Sequence, residues 1–441
     1  MAGDTRASRR VDGPGGHYDG LVAVLDQVRE LGSLTRPALA HRAGLGRAVV
    51  AQRVTQLMEA GLLEDGAVAA STGGRAAREV RFNSSRGRIL VAEVGASSVA
   101  VGISDLAGNI LLESREPMQV ADGPRTCLAR IEELFDGLLV RHPDATATTW
   151  GVGLGLPGPV EFATGVPMSP PIMPGWDGYP VRQRLAERFG VPVWVDNEVN
   201  VMALGELRAG LARGEQNVVY VKAGTGIGAG LISNGALHRG EQGCAGDIGH
   251  IAVGGNRAVL CRCGKYDCLE ALAGGAALAR DGLQAAITRP GTHLGERLAQ
   301  AGEITANDVA VGADAGDPVS RELLVRAGGL IGESLASLVN FFNPSLILLG
   351  GRVAESGDLF LAAVREATYR RSLPLATRDL RITPSTLGGL TGLTGAAFMV
   401  ADELFSRPLL EAWIEEGDPS RIVREMHEEA TPGSPERVLS A

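Results

Sequence analysis

Lysine is almost missing from this chain. Of 441 residues only Lys222 and Lys265 are lysines, and arginine carries nearly all the positive charge. No run of about 18 apolar residues occurs, which excludes a membrane-spanning helix. The first residues, MAGDTRASRRVDGPGGH, lack the apolar core of a secretory signal. They read as a flexible arm over residues 1–17, and the chain is expected in the cytoplasm. Aromatic residues are few, at 4%. There are only five cysteines, four of them clustered, and the clustered thiols suit a reducing compartment, where metal binding is favoured over disulfides.

What is present is the composition of an ordinary globular protein, rich in glycine and long enough for two or three domains. The net charge of −9 is unevenly spread. Residues 1–88 hold 13 Arg against 9 Asp and Glu, a net of +4, so the remaining 353 residues carry −13. A basic N-terminal segment on an acidic body predicts that only the first domain meets a polyanion.

Four of the five cysteines fall in the stretch Cys244–Glu270. Within it His250, Cys261, Cys263 and Cys268 form an H-x10-C-x-C-x4-C array. Three thiolates and an imidazole make a tetrahedral zinc site of the closed, structural kind. Gly254, Gly255 and Gly264 let the loop fold tightly. Ordinary buried or free cysteines are the alternative, and the clustering favours metal. Asp247 and Glu270 flank the array and would be held in place by it. Cys127 lies apart, in an amphipathic stretch, as a small core residue.

In the N-terminal segment, residues 19–31 place Leu21, Val22, Val24, Leu25, Val28 and Leu31 at helical spacing. A second short helix follows in TRPALAHRAG, with Thr35 as N-cap and Gly44 in the turn. A third covers GRAVVAQRVTQLMEAG, with Val50, Val54, Leu57 and Met58 inward and Gly61 as its stop. LLEDGAVAASTGGRAAREVRFN then reads as two strands around a Gly-rich tip carrying Arg75 and Arg78. Three helices and a basic hairpin over residues 18–85 are the order of a winged helix-turn-helix, whose third helix enters the DNA major groove. Arg47, Gln52 and Arg53 are the candidates for phosphate or base-edge contacts, with Arg75 and Arg78 on the wing. A protein-interaction domain or a cap on the body would have the same helices; the arginine-bearing wing favours DNA.

The larger body is written twice. ILVAEVGASSVAVGISDLAGNILLE (89–113) alternates as strands with a bend at Gly95-Ala96-Ser97 and a hairpin turn at Leu106–Asn109. NVVYVKAGTGIGAGLISNGALHRG (217–240) repeats the design, with Gly224-Thr225-Gly226 at the bend and Asn234-Gly235 at the turn. Each half continues into helix and strand. Two such units predict a duplicated two-lobe α/β fold with a cleft between the lobes. Backbone N–H groups in the Gly-turns are suited to phosphates. Gly350-Gly351, after a buried strand, adds a third close-approach loop where an adenosine could lie.

These motifs resemble the ROK family (repressors, open reading frames and sugar kinases) over roughly residues 18–405. The likeness is to its xylose-repressor type, which carries the winged helix that the kinases lack. GLGLPGPV (153–160) and the segment 173–206 look like the sugar-binding face. The segment 223–251 looks like the second phosphate loop running into the zinc histidine, CRCGKYDCLE (261–270) like the zinc signature, and NPSLILLGG (343–351) like the adenosine-side loop. The resemblance implies an actin-like, hexokinase-type (ribonuclease H-like) domain over residues 88–405. Its first lobe spans about 88–198 plus a C-terminal return, and its second about 199–385. Residues 406–441 form an extension with one helix docked near Trp413 and a disordered end. By motif position, Asn197, Glu198, Asp247, His250 and Glu270 would hold sugar hydroxyls. Gly95, Ser97, Gly224, Thr225, Gly226, Gly350 and Gly351 would form the phosphate and nucleotide loops.

The departures from the kinases concern phosphoryl transfer. Asp-x-Gly-Gly-Thr reads Glu93-Val94-Gly95-Ala96-Ser97 here, which crowds a triphosphate and its Mg²⁺. The catalytic base of Asp-Asn-Asp-Ala-Asn is Glu198 here, displaced by one methylene, and such misplacement costs on the order of 100-fold in rate. Glu93 itself is expected to cap backbone N–H groups. Asp267 replaces a glycine of the zinc signature. The expected protein is therefore a sugar-responsive repressor with a structural zinc and no catalytic residue. It would read double-stranded operator DNA as a homo-oligomer, a dimer or tetramer. The alternatives are an ATP- and Mg²⁺-dependent sugar kinase with Glu198 as base and an accessory DNA-binding domain, and a bifunctional or purely architectural DNA-binding protein with a vestigial pocket.

Overall fold

The computed structural model describes residues 14–68, 77–253, 258–415, 417 and 419. Arg75, Gly254, Gly255, the start of the N-terminal arm and the end of the C-terminal extension lie outside the described residues. No described helix is long and apolar enough to cross a membrane.

The N-terminal head contains the helices Pro14–Leu31, Arg36–Ala43 and Arg47–Glu59. A three-stranded antiparallel sheet closes it, with Arg78–Phe82 between Ser33–Thr35 and Leu63–Val68. Thr35 Oγ1 accepts the Ala38 N–H at 3.4 Å, and Gly44 ends the second helix in the left-handed region at φ 65°. Leu21, Val24, Leu25 and Val28 meet Leu39, Val50, Val54 and Leu57 in a fully buried core. Leu31 departs from the expected apolar face. It is 43% exposed, on the last helical turn just before Gly32 redirects the chain.

The C-terminal extension fastens this head to the body. Helix Arg407–Trp413 places Trp413 in full burial, edge-on to Trp150 at 5.3 Å between centroids. Phe405 lies beside Trp413 and edge-on to Phe82 of the head at 5.7 Å, with the Arg29 guanidinium 4.7 Å from its ring. Residues up to Trp413 are thus part of the core, because two domains share one set of aromatic rings.

The body holds two five-stranded sheets of the same plan. In the first, Arg88–Val94, Ser98–Asp105 and Ile110–Pro117 run antiparallel, and Thr149–Leu156 and Val193–Asn197 add in parallel on the other side. In the second, Val218–Ala223, Ile227–Ser233 and Ala236–His238 run antiparallel, and Leu346–Gly350 and Arg381–Pro384 add in parallel. The strand order, 3-2-1-4-5 within each half, is identical. Asn234 and Gly235 both have positive φ, as a two-residue hairpin turn requires.

Two helices join the halves. Glu198–Ala209 leaves the end of the first sheet, and the return helix Thr391–Leu404 packs along it. Their backbones touch, since a side chain at Gly395 would strike the Val201 carbonyl and one at Gly205 the Thr391 carbonyl. The pair is therefore packed backbone to backbone, with no room for a side chain at either glycine.

Candidate ligand cleft and metal centre

The ligand atoms of His250, Cys261, Cys263 and Cys268 all lie within 4.8 Å of one another. Cys263 Sγ is 3.7 Å from Cys268 Sγ, and Cys261 Sγ is 3.6 Å from His250 Nδ1. A tetrahedral zinc with Zn–S near 2.3 Å has edges of about 3.8 Å, so the four groups fit that ion. Local backbone builds the cage. Gly264 N–H reaches Cys261 O at 3.0 Å, and Cys261 N–H reaches Lys265 O at 2.8 Å. Asp267 takes up the left-handed conformation (φ 58°) that a glycine would occupy, and its carboxylate accepts from Val259 N at 2.9 Å. With Nδ1 turned to the cage, His250 keeps Nε2 for the cleft.

That cleft lies between the lobes, with a volume of about 850 Å³ including its open mouth. Asn197, Glu198, Asp247, His250 and Glu270 all line it, as do Thr225 and Gly226. Each is held differently. Asn197 caps helix Glu198–Ala209: its Oδ1 accepts from Val199 N at 2.8 Å and Asn200 N at 3.3 Å, and its Nδ2 donates to Gly158 O at 2.9 Å. One amide hydrogen is left for a ligand. Glu270 Oε2 accepts the Ile227 N–H at 3.1 Å, and burial pushes its carboxyl above the usual range. Asp196 is buried and faces away from chemistry, bonding Asn200 Nδ2 at 3.0 Å and Arg239 Nε at 2.7 Å.

The floor of the cleft holds a group that the sequence did not single out. Lys222 Nζ lies 2.5 Å from Glu198 Oε2, with the two side chains only 17% and 10% exposed. The carboxylate at the base position is thus ion-paired to an ammonium on the first strand of the second sheet. Glu93 stands nearby, buried at 8% exposure; burial pushes its carboxyl above the ordinary value, and Lys222 pulls the other way. The expectation that Glu93 caps backbone N–H groups is not met. Its carboxylate lies against the bare Cα of Gly392, with no backbone hydrogen bond among the described residues. Ala96 also faces the cleft.

The loop glycines divide. The Gly224–Gly226 turn docks on the start of helix Gly275–Thr288, Gly224 O accepting from Gly275 N at 2.8 Å and Thr225 O from Ala276 N at 3.2 Å. Gly95 bonds Ser98 O at 2.8 Å and shapes its bend; neither it nor Ser97 lines the cleft. Gly350 and Gly351 do not line it either. A side chain at Gly350 would strike the Tyr220 hydroxyl, and one at Gly351 the Ala223 carbonyl, so close packing accounts for both.

In the head, Arg47 and Gln52 stand exposed on the third helix beside Ala48, Ala51 and Thr55. Arg53 corrects the sequence reading. It is 8% exposed, points inward over Gly20, and bonds Gln56 Oε1 at 2.9 Å. A glycine on the first helix leaves room for that side chain, which spacing on the third helix alone does not reveal. Arg78 is exposed but paired with Asp65 at 3.1 Å across the wing. Head and cleft are also connected. Helix Glu198–Ala209 begins at the cleft and ends near Arg208, which bonds Asp402 Oδ2 at 2.6 Å; Asp402 Oδ1 bonds Arg29 of the head at 2.9 Å.

The profile of the ROK family matches residues 90–403. The chain belongs to the ROK family. It is 31% identical over 311 residues to a glucokinase of Halalkalibacterium halodurans, covering 70% of this chain and 94% of that one. It is 27% identical over 388 residues to the xylose repressor of Caldicellulosiruptor bescii, covering 87% of this chain and 96% of that one. Among solved structures, a ROK transcriptional regulator described as a homolog of the E. coli MLC protein superposes with TM-score 0.79 at 23% identity, over 91% of this chain and all of that one. A ROK glucokinase from Streptomyces griseus, in complex with glucose and AMPPNP, superposes with TM-score 0.61 at 29% identity, over 71% of this chain and 99% of that one. The fold of this ROK protein is thus the two-lobe sugar-kinase fold preceded by a head.

Proposed function

We propose that this ROK protein is a transcriptional repressor that binds double-stranded operator DNA through its winged helix and responds to a sugar or sugar derivative in the cleft. The observation that carries this reading is the Lys222–Glu198 ion pair on the cleft floor. A general base must be free to take a hydroxyl proton, and this one is held by a cation. The walls, by contrast, present carboxylates, an amide and an imidazole suited to hydroxyls. The likeness to the xylose repressor extends beyond the sugar-kinase portion, which supports the same reading. Zinc is the ion we assign to His250, Cys261, Cys263 and Cys268; it supplies no open position and holds His250 in place. The repressor acts as a cytoplasmic homo-oligomer, with the Arg208–Asp402–Arg29 chain passing a shift of helix Glu198–Ala209 to the head.

A kinase reading has one observation in its favour: a carboxylate is kept at the base position, as in a chain 31% identical to a glucokinase. The deciding experiment measures DNA binding and turnover side by side. Fragments selected from genomic DNA should bind, a sugar from a broad panel should change that affinity, and ATP with the same sugars should give little turnover. Arg47→Ala should weaken binding about tenfold, within the ~1–3 kcal/mol of a direct contact. Arg53→Ala should lower Tm instead. Robust phosphorylation, or no DNA binding at all, overturns the proposal.

A further inference from the structure

The cleft does not end at Glu270. Beyond Thr225 and Gly226 a second cavity of about 660 Å³ opens, sharing Ile172, Thr225, Gly226 and Glu270 with the first. Its far wall carries Arg262 and Arg280 beside Leu260 and Ala276. The two cavities differ in charge. The first faces Glu198, Asp247 and Glu270, with Lys222 paired to Glu198; the second has Glu270 as its one acidic lining residue and Arg262 and Arg280 as its two guanidiniums.

Arg262 makes no hydrogen bond or ion pair among the described residues, although its charge reaches Glu270. It stands exposed between Cys261 and Cys263, so the metal cage holds the backbone on both sides of it. Arg280 is steadied by Ala271 O at 3.0 Å and Asp281 Oδ1 at 2.7 Å, leaving further N–H donors free. A guanidinium that faces a cavity with no hydrogen-bond partner of its own is a receptor for a planar or tetrahedral oxyanion.

We propose that the second cavity is a subsite for an anionic substituent, a phosphate or a carboxylate, on the sugar held in the first cleft, with Arg262 as the residue that selects it. This rests on the reading of the first cleft as a sugar site. The neutral hydroxyls then face the carboxylates and the anion faces the arginines. The effector class is a sugar phosphate or a sugar acid.

Calorimetry on the full-length, zinc-loaded protein tests this, using neutral hexoses, their 1- and 6-phosphates and the matching uronic acids. One charged derivative should bind about tenfold tighter than its neutral parent, the scale of a charge-assisted arginine contact. That advantage should shrink as salt is raised. Arg262→Ala should abolish it while leaving zinc content and neutral-sugar affinity unchanged, and Arg262→Lys should keep part of it. The phosphate and uronate arms tell the two sources apart. If neutral sugars bind as well as every charged derivative, or Arg262→Ala weakens both alike, the subsite is wrong and the sugar reading stands. If no sugar of either kind binds, the sugar reading falls as well.

Discussion

The second-lobe wall of the cleft and its floor have diverged in different ways. In the proposed reading the wall keeps what hydroxyl recognition needs: Asp247, His250 and Glu270 line the cleft beside four groups placed to hold a metal. The floor has Glu93, Ala96 and the Glu198–Lys222 pair where phosphoryl transfer would need a free base and room for phosphates. Both surfaces belong to one domain and are a few residues apart in space. Their contrast shows that binding a sugar and reacting with it make separate demands. Groups that hold the ground state can stay intact while those that favour only the transition state are altered. In a repressor of the kind proposed, what remains is binding energy available for moving a helix.

The largest effect is expected from the wall. Cys261→Ser with Cys263→Ser should reduce zinc from one per chain to none and remove ligand-induced thermal stabilisation, since metal affinity in such cages amounts to about 10–16 kcal/mol of folding free energy. A metal-free variant that still responds to sugar would break the comparison on the wall side. A smaller effect is expected from the floor. Lys222→Met leaves Glu198 uncompensated in a largely buried place, a loss of about 3–5 kcal/mol for a fully buried pair and less here, where both side chains keep some exposure. The readout is Tm, with kinase turnover staying low. A variant as stable as the parent would mean that the pair is an incidental contact and the floor is open to chemistry.

Much of this was legible in the sequence. The duplicated strand–turn–strand units, the three head helices and the His250, Cys261, Cys263, Cys268 array are local signals, carried by spacing and turn residues. The Lys222–Glu198 pair was not. Lys222 precedes the Gly224–Gly226 turn by two positions and Glu198 opens a helix 24 residues earlier, so only the fold brings them together. A signal was nevertheless present: Lys222 is one of two lysines in a chain that otherwise uses arginine. Arg53 was misread for a related reason, because its burial depends on Gly20 of another helix. The packing of the glycines at 350 and 351 against the Tyr220 hydroxyl and the Ala223 carbonyl was likewise invisible to spacing, because both partners come from another strand. Trp413 lies beyond the family's matched region, and its role as a shared core residue rests on Trp150, distant in the chain, and on Phe405, which itself meets Phe82 of the head.

The smallest effect, and the one that best separates floor from wall, is the pH dependence of Glu93. Burial raises its folded carboxyl above the unfolded value, so the native state holds this proton to higher pH than the unfolded chain does. The resulting stabilisation is complete below the unfolded carboxyl's pKa of about 4.3 and is lost as pH rises through the folded value. Glu93→Gln removes the titration and keeps the shape. Its Tm should exceed that of the parent above the folded value, and the gap should close on acidification. Lys222 opposes the burial effect, so the same substitution in a Lys222→Met background should open the gap further. Parallel curves for parent and variant would show that Glu93 is already well solvated or paired, and the floor would then have kept one more feature of a reactive site than its geometry suggests.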